Sequence, residues 1–414
     1  MRPSIGIDFG TTNSVVAARG ADGAVRVLRR DTAEVFRSVL CFWHGAGGRV
    51  QHAAGPEAIE AYRDDPLDNR LIMSMKSYLA QRSFRETRIF GRAWTLEALV
   101  ALFLGELLAP FRGEMADASV TIGRPVRFVG DAPDDALGEQ RLRAAFAQAG
   151  IDDVRVALEP AAAGHRFARE LRSPATVLVA DFGGGTSDFS VLRFEPGPPP
   201  RVTALGHAGV GVAGDAFDYR IIDHVVSPLL GKGSGYKVMG NTMPIPSGWY
   251  GSFARWHLLS LMRAPRTLRD IAEVARTAEC PEQLRRLIQL ITEEAGYALY
   301  QAISSAKARL TEEEHVTLDF RHADFALSAG IARTDFDAWI APELAQIGQA
   351  VDAALADAAI GSADVDRVFL TGGTSLVPAV RRLFEIRCGA ERLVSGGAFV
   401  SVAEGLAHMG ARAN

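Results

Sequence analysis

The stretch VADFGGGTSDFSVLRF, residues 179–194, sets an acid, Asp181, at the end of an apolar run, follows it with three glycines and then supplies Thr186, Ser187 and Asp188. Three successive glycines are a costly way to continue a strand, because each loses much backbone entropy on ordering and packs no side chain. Val177 to Ala180 reads as a strand, Phe189, Val191, Leu192 and Phe194 as its return, and Gly183 to Gly185 as the hairpin tip between them. Bare amides at such a tip can converge on an anion. A carboxylate beside them suits a hard cation that keeps most of its own waters, or a water that must be positioned. The stretch therefore reads either as half of a nucleotide-phosphate site or as a structural glycine hairpin.

The same plan occurs at the start of the chain. IGIDFGTTNSVVAARG, residues 5–20, runs an apolar strand into Asp-Phe-Gly, small hydroxyl residues and a return through Val15, Val16 and Ala17. A second pair of segments also matches: residues 118–128, ASVTIGRPVRF, and residues 365–384, VDRVFLTGGTSLVPAVRRLF, each take an apolar strand into a glycine turn followed by a helical pattern. The helix after the first of these is expected over 138–150, with Leu142, Ala145, Phe146 and Ala149 on one face and Gly150 as its C-cap. The order hairpin, turn, hairpin, turn implies two similar α/β halves whose glycine tips address one ligand from opposite sides of a cleft.

Other segments differ in character. Residues 38–117 mix loops with a helix over 95–108 carrying Leu96, Leu99, Val100, Phe103 and Leu107. Residues 219–316 hold a Gly- and Pro-rich loop, GKGSGYKVMGNTMPIPSGWYG (231–251), followed by one long amphipathic helix over 281–310 with Leu284, Leu287, Ile288, Ile291, Ala295, Leu299 and Ile303 on its apolar side. These are two expected accessory subdomains. GKGSG lacks the spacing of a Walker A loop. PGPPP, 196–200, reads as a stiff hairpin tip.

At 414 residues, 48% hydrophobic and 23% charged, the chain has material for two or three lobes of an ordinary globular protein. A net charge of −4 gives no electrostatic reason for a nucleic-acid or anionic-membrane partner, and Arg285 with Arg286 reads as a solvated helix face. Three widely spaced cysteines without a CxxC pair suggest neither a disulfide framework nor a zinc site, and the nine histidines show no metal spacing. No apolar stretch reaches the length of a membrane span, and the first residues lack the plan of a signal peptide, so a cytoplasmic protein is expected.

The three motifs IGIDFGTTNSVVA, VLVADFGGGTSDFSVL and VDRVFLTGGTSLVPAV, in this order, resemble the two phosphate motifs and the adenosine motif of the ATPase domain of DnaK-type heat-shock chaperones, within the actin and sugar-kinase superfamily. The resemblance runs from Ile5 to about Gly410, and IGRP (122–125) with SVAEGLA (401–407) is similar to the short YegD-type members. It implies an α/β fold of duplicated actin-like, ribonuclease H-like ATPase lobes with a central nucleotide cleft and two accessory subdomains. Lobe I is expected over 1–172, with its insertion near 38–117, and lobe II over 173–398, with its insertion near 219–316. The segment 399–414 is expected to return to lobe I as a helix. No linker, β-rich peptide-binding domain or helical lid follows in the sequence, which implies an isolated ATPase engine.

Carried over residue by residue, the resemblance implies metal roles for Asp8, Asp181 and Glu159 around Mg2+, and catalytic roles for Lys76, Glu159, Asp181 and Thr186. Lys76, in SMKSYLAQR, would reach the γ-phosphate, and Glu159 stands in LEPAAAG. Gly10, Thr11, Thr12 and Asn13 would hold phosphate from one side and Gly183, Gly184, Gly185 and Thr186 from the other. Gly214, Lys307, Thr311, Gly372, Gly373 and Thr374 complete the implied ATP/ADP contacts. Pro125 and Arg141 resemble the family's relay from the nucleotide to the outer face. Ser304, Ala308 and Leu376 depart from the usual Glu and two Arg of the adenine side, which implies weaker or less selective base binding. The activity implied is slow hydrolysis of ATP to ADP and phosphate, coupled to lobe closure and to an unknown protein client or co-chaperone. A small-molecule kinase, a filament former and a nucleotide sensor of the same superfamily are the alternatives.

Overall fold

A computed structural model describes residues 3–410 apart from 31, 46, 66–67, 129–132, 169–172, 198–200, 256–258, 260–261, 294, 324 and 396–400. The chain forms two compact units. One contains the residues up to Ala213 together with Gln346–Leu376 and the residues from Val380 on; the other is Gly214–Ala345 with Val377–Ala379.

The first unit holds both halves of the repeat. Strands β1 (Ser4–Phe9), β2 (Asn13–Arg19), β3 (Val25–Val27), β4 (Ser119–Arg124) and β5 (Val154–Leu158) form a sheet in the order β5-β4-β1-β2-β3, and a short strand, Phe36–Arg37, adds to β2. Strands β6 (Ala175–Phe182), β7 (Ser187–Glu195), β8 (Arg201–Val210), β9 (Arg367–Thr371) and β10 (Leu393–Ser395) form a second sheet in the order β10-β9-β6-β7-β8. The two orders are the same: an antiparallel meander of three strands with two parallel strands added beside the first. Two sheets with one unusual order are the structural form of the sequence duplication.

The central strands are buried along nearly their whole length, β6 reading ATVLVADF without alternation, because both faces of each sheet are covered. Helix α1 (Leu96–Leu108) starts on Thr95, whose hydroxyl accepts from the Ala98 amide at 3.2 Å, and sends Phe103 to within 5.7 Å of the Phe9 ring. Helix α2 (Asp135–Gln148) packs on α1. It begins a turn before the expected start because Asp134 caps it, accepting from the Leu137 amide at 3.0 Å. It ends where Gly150 turns left-handed, at φ 85°, as the sequence predicts.

Helices α3 (Glu159–Ala168) and α8 (Ser401–Gly410) pack on each other; α8 lies on β1, β2 and β4, and α3 reaches β6, β7 and β8. Ala403 and Ala407 of α8 join Val15 and Ala17 of the first sheet, while Val402 and Leu406 cluster with Val177, Val179, Leu192 and Phe194 of the second. Helix α7 (Pro378–Cys388) adds Phe384, whose ring lies 6.1 Å from that of Phe182.

Gly372, which follows β9, has φ 85°, and a Cβ there would come within 1.9 Å of the Phe182 carbonyl oxygen at the end of β6. Gly372→Ala is expected to cost at least about 2 kcal/mol through the left-handed backbone and the backbone clash together, read as a lower urea midpoint with an unchanged slope.

The second unit contains α4 (Gly214–Ile221), α5 (Pro281–Thr292), α6 (Gly296–Arg309) and the hairpin of His315–His322 with Phe325–Ala332. Two expectations are corrected here. The single long helix over 281–310 is two helices: Glu293 leaves helical geometry at φ −89°, ψ 9°, and α6 restarts on Gly296, a residue of low helix propensity that apolar periodicity does not register. The supposed loop 231–251 contains paired strands, Gly235–Val238 and Asn241–Pro244, followed by a helix, Ser247–Phe253. Met239 and Gly240 both have positive φ, 49° and 85°, which is the requirement of a tight two-residue hairpin turn. The proline tip expected at 196–200 is enclosed by the pairing of Glu195 with Arg201, and residues 198–200 lie outside the described residues. Arg285 is exposed on α5 and paired with Glu282 at 2.6 Å.

Candidate functional site

The second hairpin tip spans one residue more than its glycine run suggests. Phe182 pairs with Ser187 and Asp181 with Asp188, so the second tip is 183–186, closed by the Gly183 amide donating to the Thr186 carbonyl at 2.8 Å. Phe9 pairs with Ser14 and Asp8 with Val15, so the first tip is 10–13. Asp8 and Asp181 thus occupy equivalent strand ends, each next to last before its tip. At the first tip the Ser38 amide donates to the Thr12 carbonyl and Arg37 reaches the Asn13 side chain at 3.3 Å.

At the strand ends beside these tips the first unit gathers one lysine and four acids. Lys76 stands in a short 3-10 turn, Met75–Tyr78, and donates to Glu159 Oε1 at 2.7 Å; both side chains are under a tenth exposed. Glu159 opens α3, and a Cβ on Gly123 of β4 would lie 2.8 Å from Glu159 Cγ, so the glycine is what lets the acid lie against that strand. Asp8, Asp181 and Asp188 keep some exposure and interact electrostatically with this pair.

The acids are held away from their ordinary range. Burial first, then Glu159 and Asp181, push Asp8 up to about 8 against the relief from Lys76. Burial and Glu159 push Asp181 up to about 6. Burial, Asp181 and Glu159 push Asp188 up to about 8, and the Thr186 hydroxyl, 3.4 Å from its Oδ2, offsets part of that. For Lys76, burial works against the charge, but Glu159, Asp8 and Asp181 outweigh it and raise the ammonium above its usual value.

One ammonium facing four carboxyl groups leaves negative charge that the fold does not neutralise. That donor set fits a hard divalent cation. Among the described residues no three His, Cys, Asp or Glu side chains are placed to grip a metal directly.

The structure thus brings together Asp8, Lys76, Glu159, Asp181 and, through Asp188, Thr186. Gly372, Gly373 and Thr374 lie in the first unit just after β9, with Leu376 exposed in the same turn. Gly214, Lys307 and Thr311 belong to the second unit, where Lys307 Nζ donates to the Gly214 carbonyl at 3.0 Å and to Asp218 Oδ2 at 2.8 Å. Ser304 and Ala308 are exposed on α6. Asp188 is the site residue that the sequence reading leaves out. A three-residue tip would pair Ala180 with Asp188 and turn its side chain to the other face; the observed four-residue tip sets it directly across from Asp181. Two acids at matching distances from a glycine tip are the signal that could have found it.

The repeated sheet and its paired tips define the duplicated actin-like fold. Within that fold the chain belongs to the Hsp70 family: the family described as Hsp70 protein matches residues 136–242 and 285–408, more than half of the 414. The chain is 26% identical over 415 residues to chaperone protein DnaK of Deinococcus radiodurans, covering 93% of this chain and 55% of that protein. It is 25% identical over 401 residues to the DnaK of Deinococcus deserti, covering 93% and 55%, and 25% identical over 409 residues to that of Deinococcus proteolyticus, covering 94% and 56%. The chain spans about half the length of the curated relatives it matches. Among the described residues no helix is long and apolar enough to cross a membrane, and the three cysteines are free.

Proposed function

We propose that the chain binds ATP with magnesium and hydrolyses it slowly to ADP and phosphate, as a chaperone-like engine whose lobes loosen when the γ-phosphate leaves. The observation that carries this reading is the buried Lys76–Glu159 pair ringed by Asp8, Asp181 and Asp188 between two glycine tips. The ion, when bound, neutralises phosphate charge. The amides of Gly10 to Asn13 and of Gly183 to Thr186 hold the phosphate oxygens, and Lys76 places its charge where the transferred group becomes most negative. Asp181, Glu159 and Thr186 orient the attacking water. Lys307, Gly214, Thr311, Gly372, Gly373 and Thr374 hold the nucleoside, while Ser304, Ala308 and Leu376 give the base no charged partner.

A protein client or co-chaperone receives the switch in this reading, and the free cysteines suit a reducing, cytoplasmic setting. The purified chain is expected to release phosphate from ATP with magnesium, to stop on chelation, and to be competed by GTP within about tenfold of ATP, a gap of roughly 1.4 kcal/mol. Magnesium-independent turnover, or no nucleotide binding at all, would overturn the assignment.

A further inference from the structure

The segment that carries Lys76 has little structure of its own. Its one regular turn follows Ser74, a non-glycine residue held left-handed at φ 54°, and the residues after Tyr78 proceed through turns. Met75, Leu79 and Ala80 bury their side chains in the core, and the main chain from Tyr78 on is held by the guanidinium of Arg141 on α2. Arg141 Nη1 lies 3.4, 3.2 and 3.1 Å from the carbonyl oxygens of Tyr78, Leu79 and Gln81, and Nη2 donates to Phe84 at 2.8 Å. Arg141 Nε is paired with Glu97 of α1 at 3.3 Å, with the arginine side chain only 12% exposed. The helix start adds a second tie: the Asp134 amide donates to the Ala80 carbonyl at 3.0 Å, and the Asp134 carboxylate takes Arg82 at 2.6 Å. The Pro125 carbonyl, by contrast, accepts from Arg124 at 3.0 Å.

We infer that Arg141 is a positioning residue for Lys76: by gathering four consecutive-turn carbonyls onto one planar fork it sets where the Lys76 ammonium stands against Glu159. A lysine offers a single point charge on a flexible stem and cannot span carbonyls spread from residue 78 to residue 84. The contact differs from the relay between nucleotide and outer face that the resemblance implies for Pro125 and Arg141, because it acts on the lysine through the main chain. The inference rests on Lys76 being the lysine of the proposed hydrolysis.

The test compares Arg141→Ala and Arg141→Lys with Val100→Ala, a control in the fully buried core of α1. Arg141→Ala is expected to slow single-turnover ATP hydrolysis by 10- to 100-fold with ATP affinity within about twofold, to regain several-fold on adding guanidinium, and to be matched only partly by Arg141→Lys. Val100→Ala, at a comparable loss of melting temperature, keeps its rate. An Arg141→Ala rate within twofold of the parent, or a loss no greater than that of Val100→Ala, overturns the inference. Should the parent chain not hydrolyse ATP, the proposed function falls separately, and amide exchange decides: at least tenfold faster exchange over 76–84 in Arg141→Ala upholds the positioning role, and unchanged exchange refutes it.

Discussion

Lys76→Ala is expected to lower single-turnover hydrolysis of ATP by at least about 100-fold, roughly 2.7 kcal/mol of transition-state stabilisation, while leaving ATP affinity within about fivefold. The asymmetry follows from where the ammonium stands. It is buried and held at 2.7 Å from Glu159, and although burial works against its charge, Glu159, Asp8 and Asp181 outweigh that and raise its proton affinity. A fixed charge in a poorly solvated site acts on charge that develops during the reaction more strongly than on a bound ground state that amides already hold. The substitution also leaves Glu159 buried without its partner, so the variant is expected to melt lower than the parent. An unchanged rate with intact binding would remove Lys76 from the mechanism.

Stability of the metal-free protein is expected to fall as pH rises from 6 to 9, and magnesium with nucleotide to restore it most at the alkaline end. The folded chain holds Asp8 and Asp188 near 8 and Asp181 near 6, against 3.8 for an ordinary aspartate. Groups whose folded value is raised contribute their stability fully below about 4 and lose it as pH climbs through the folded value, because the native state then gives up protons it had kept. A divalent cation competes with those protons for the same carboxylates. The melting-temperature gain from magnesium and nucleotide is therefore expected to be at least about twice as large at pH 8.5 as at pH 6.5, and binding is expected to release protons, seen as an enthalpy that depends on the buffer. Asp188→Asn should flatten both dependences. Equal gains at the two pH values would contradict the acid cluster.

The parts of this fold that were legible in the sequence are those written locally. Alternation of apolar runs and glycine turns gave the hairpins β1–β2 and β6–β7, and their repetition gave the duplication that the two identical sheet orders display. The cap at Gly150 was readable for the same reason. What was missed depended on a register or on a partner distant in the chain. One residue of tip length decides whether Asp188 faces Asp181 or the opposite side, and glycines alone do not fix that length. Periodicity carried α5 into α6 because the interruption at Glu293 leaves the apolar spacing undisturbed. The loop reading of 231–251 failed because Gly and Pro signal turns without saying that the residues between them pair. Arg141 was noticed through resemblance, but its carbonyl partners lie 57 to 63 positions away and no spacing announces them.

The proposed hydrolysis requires two glycine-tipped hairpins to close on one triphosphate over the lysine and its acids. The most direct measurement is a crystal structure of the chain grown with magnesium and a non-hydrolysable ATP analogue. The predicted result has β- and γ-phosphate oxygens within hydrogen-bonding distance of amides from both Gly10–Asn13 and Gly183–Thr186, with Lys76 Nζ turned to the γ-phosphate and the ion among Asp8, Asp181 and Glu159 through water. A triphosphate bound at any other place, or touching one tip alone with Lys76 remote from it, would contradict the account.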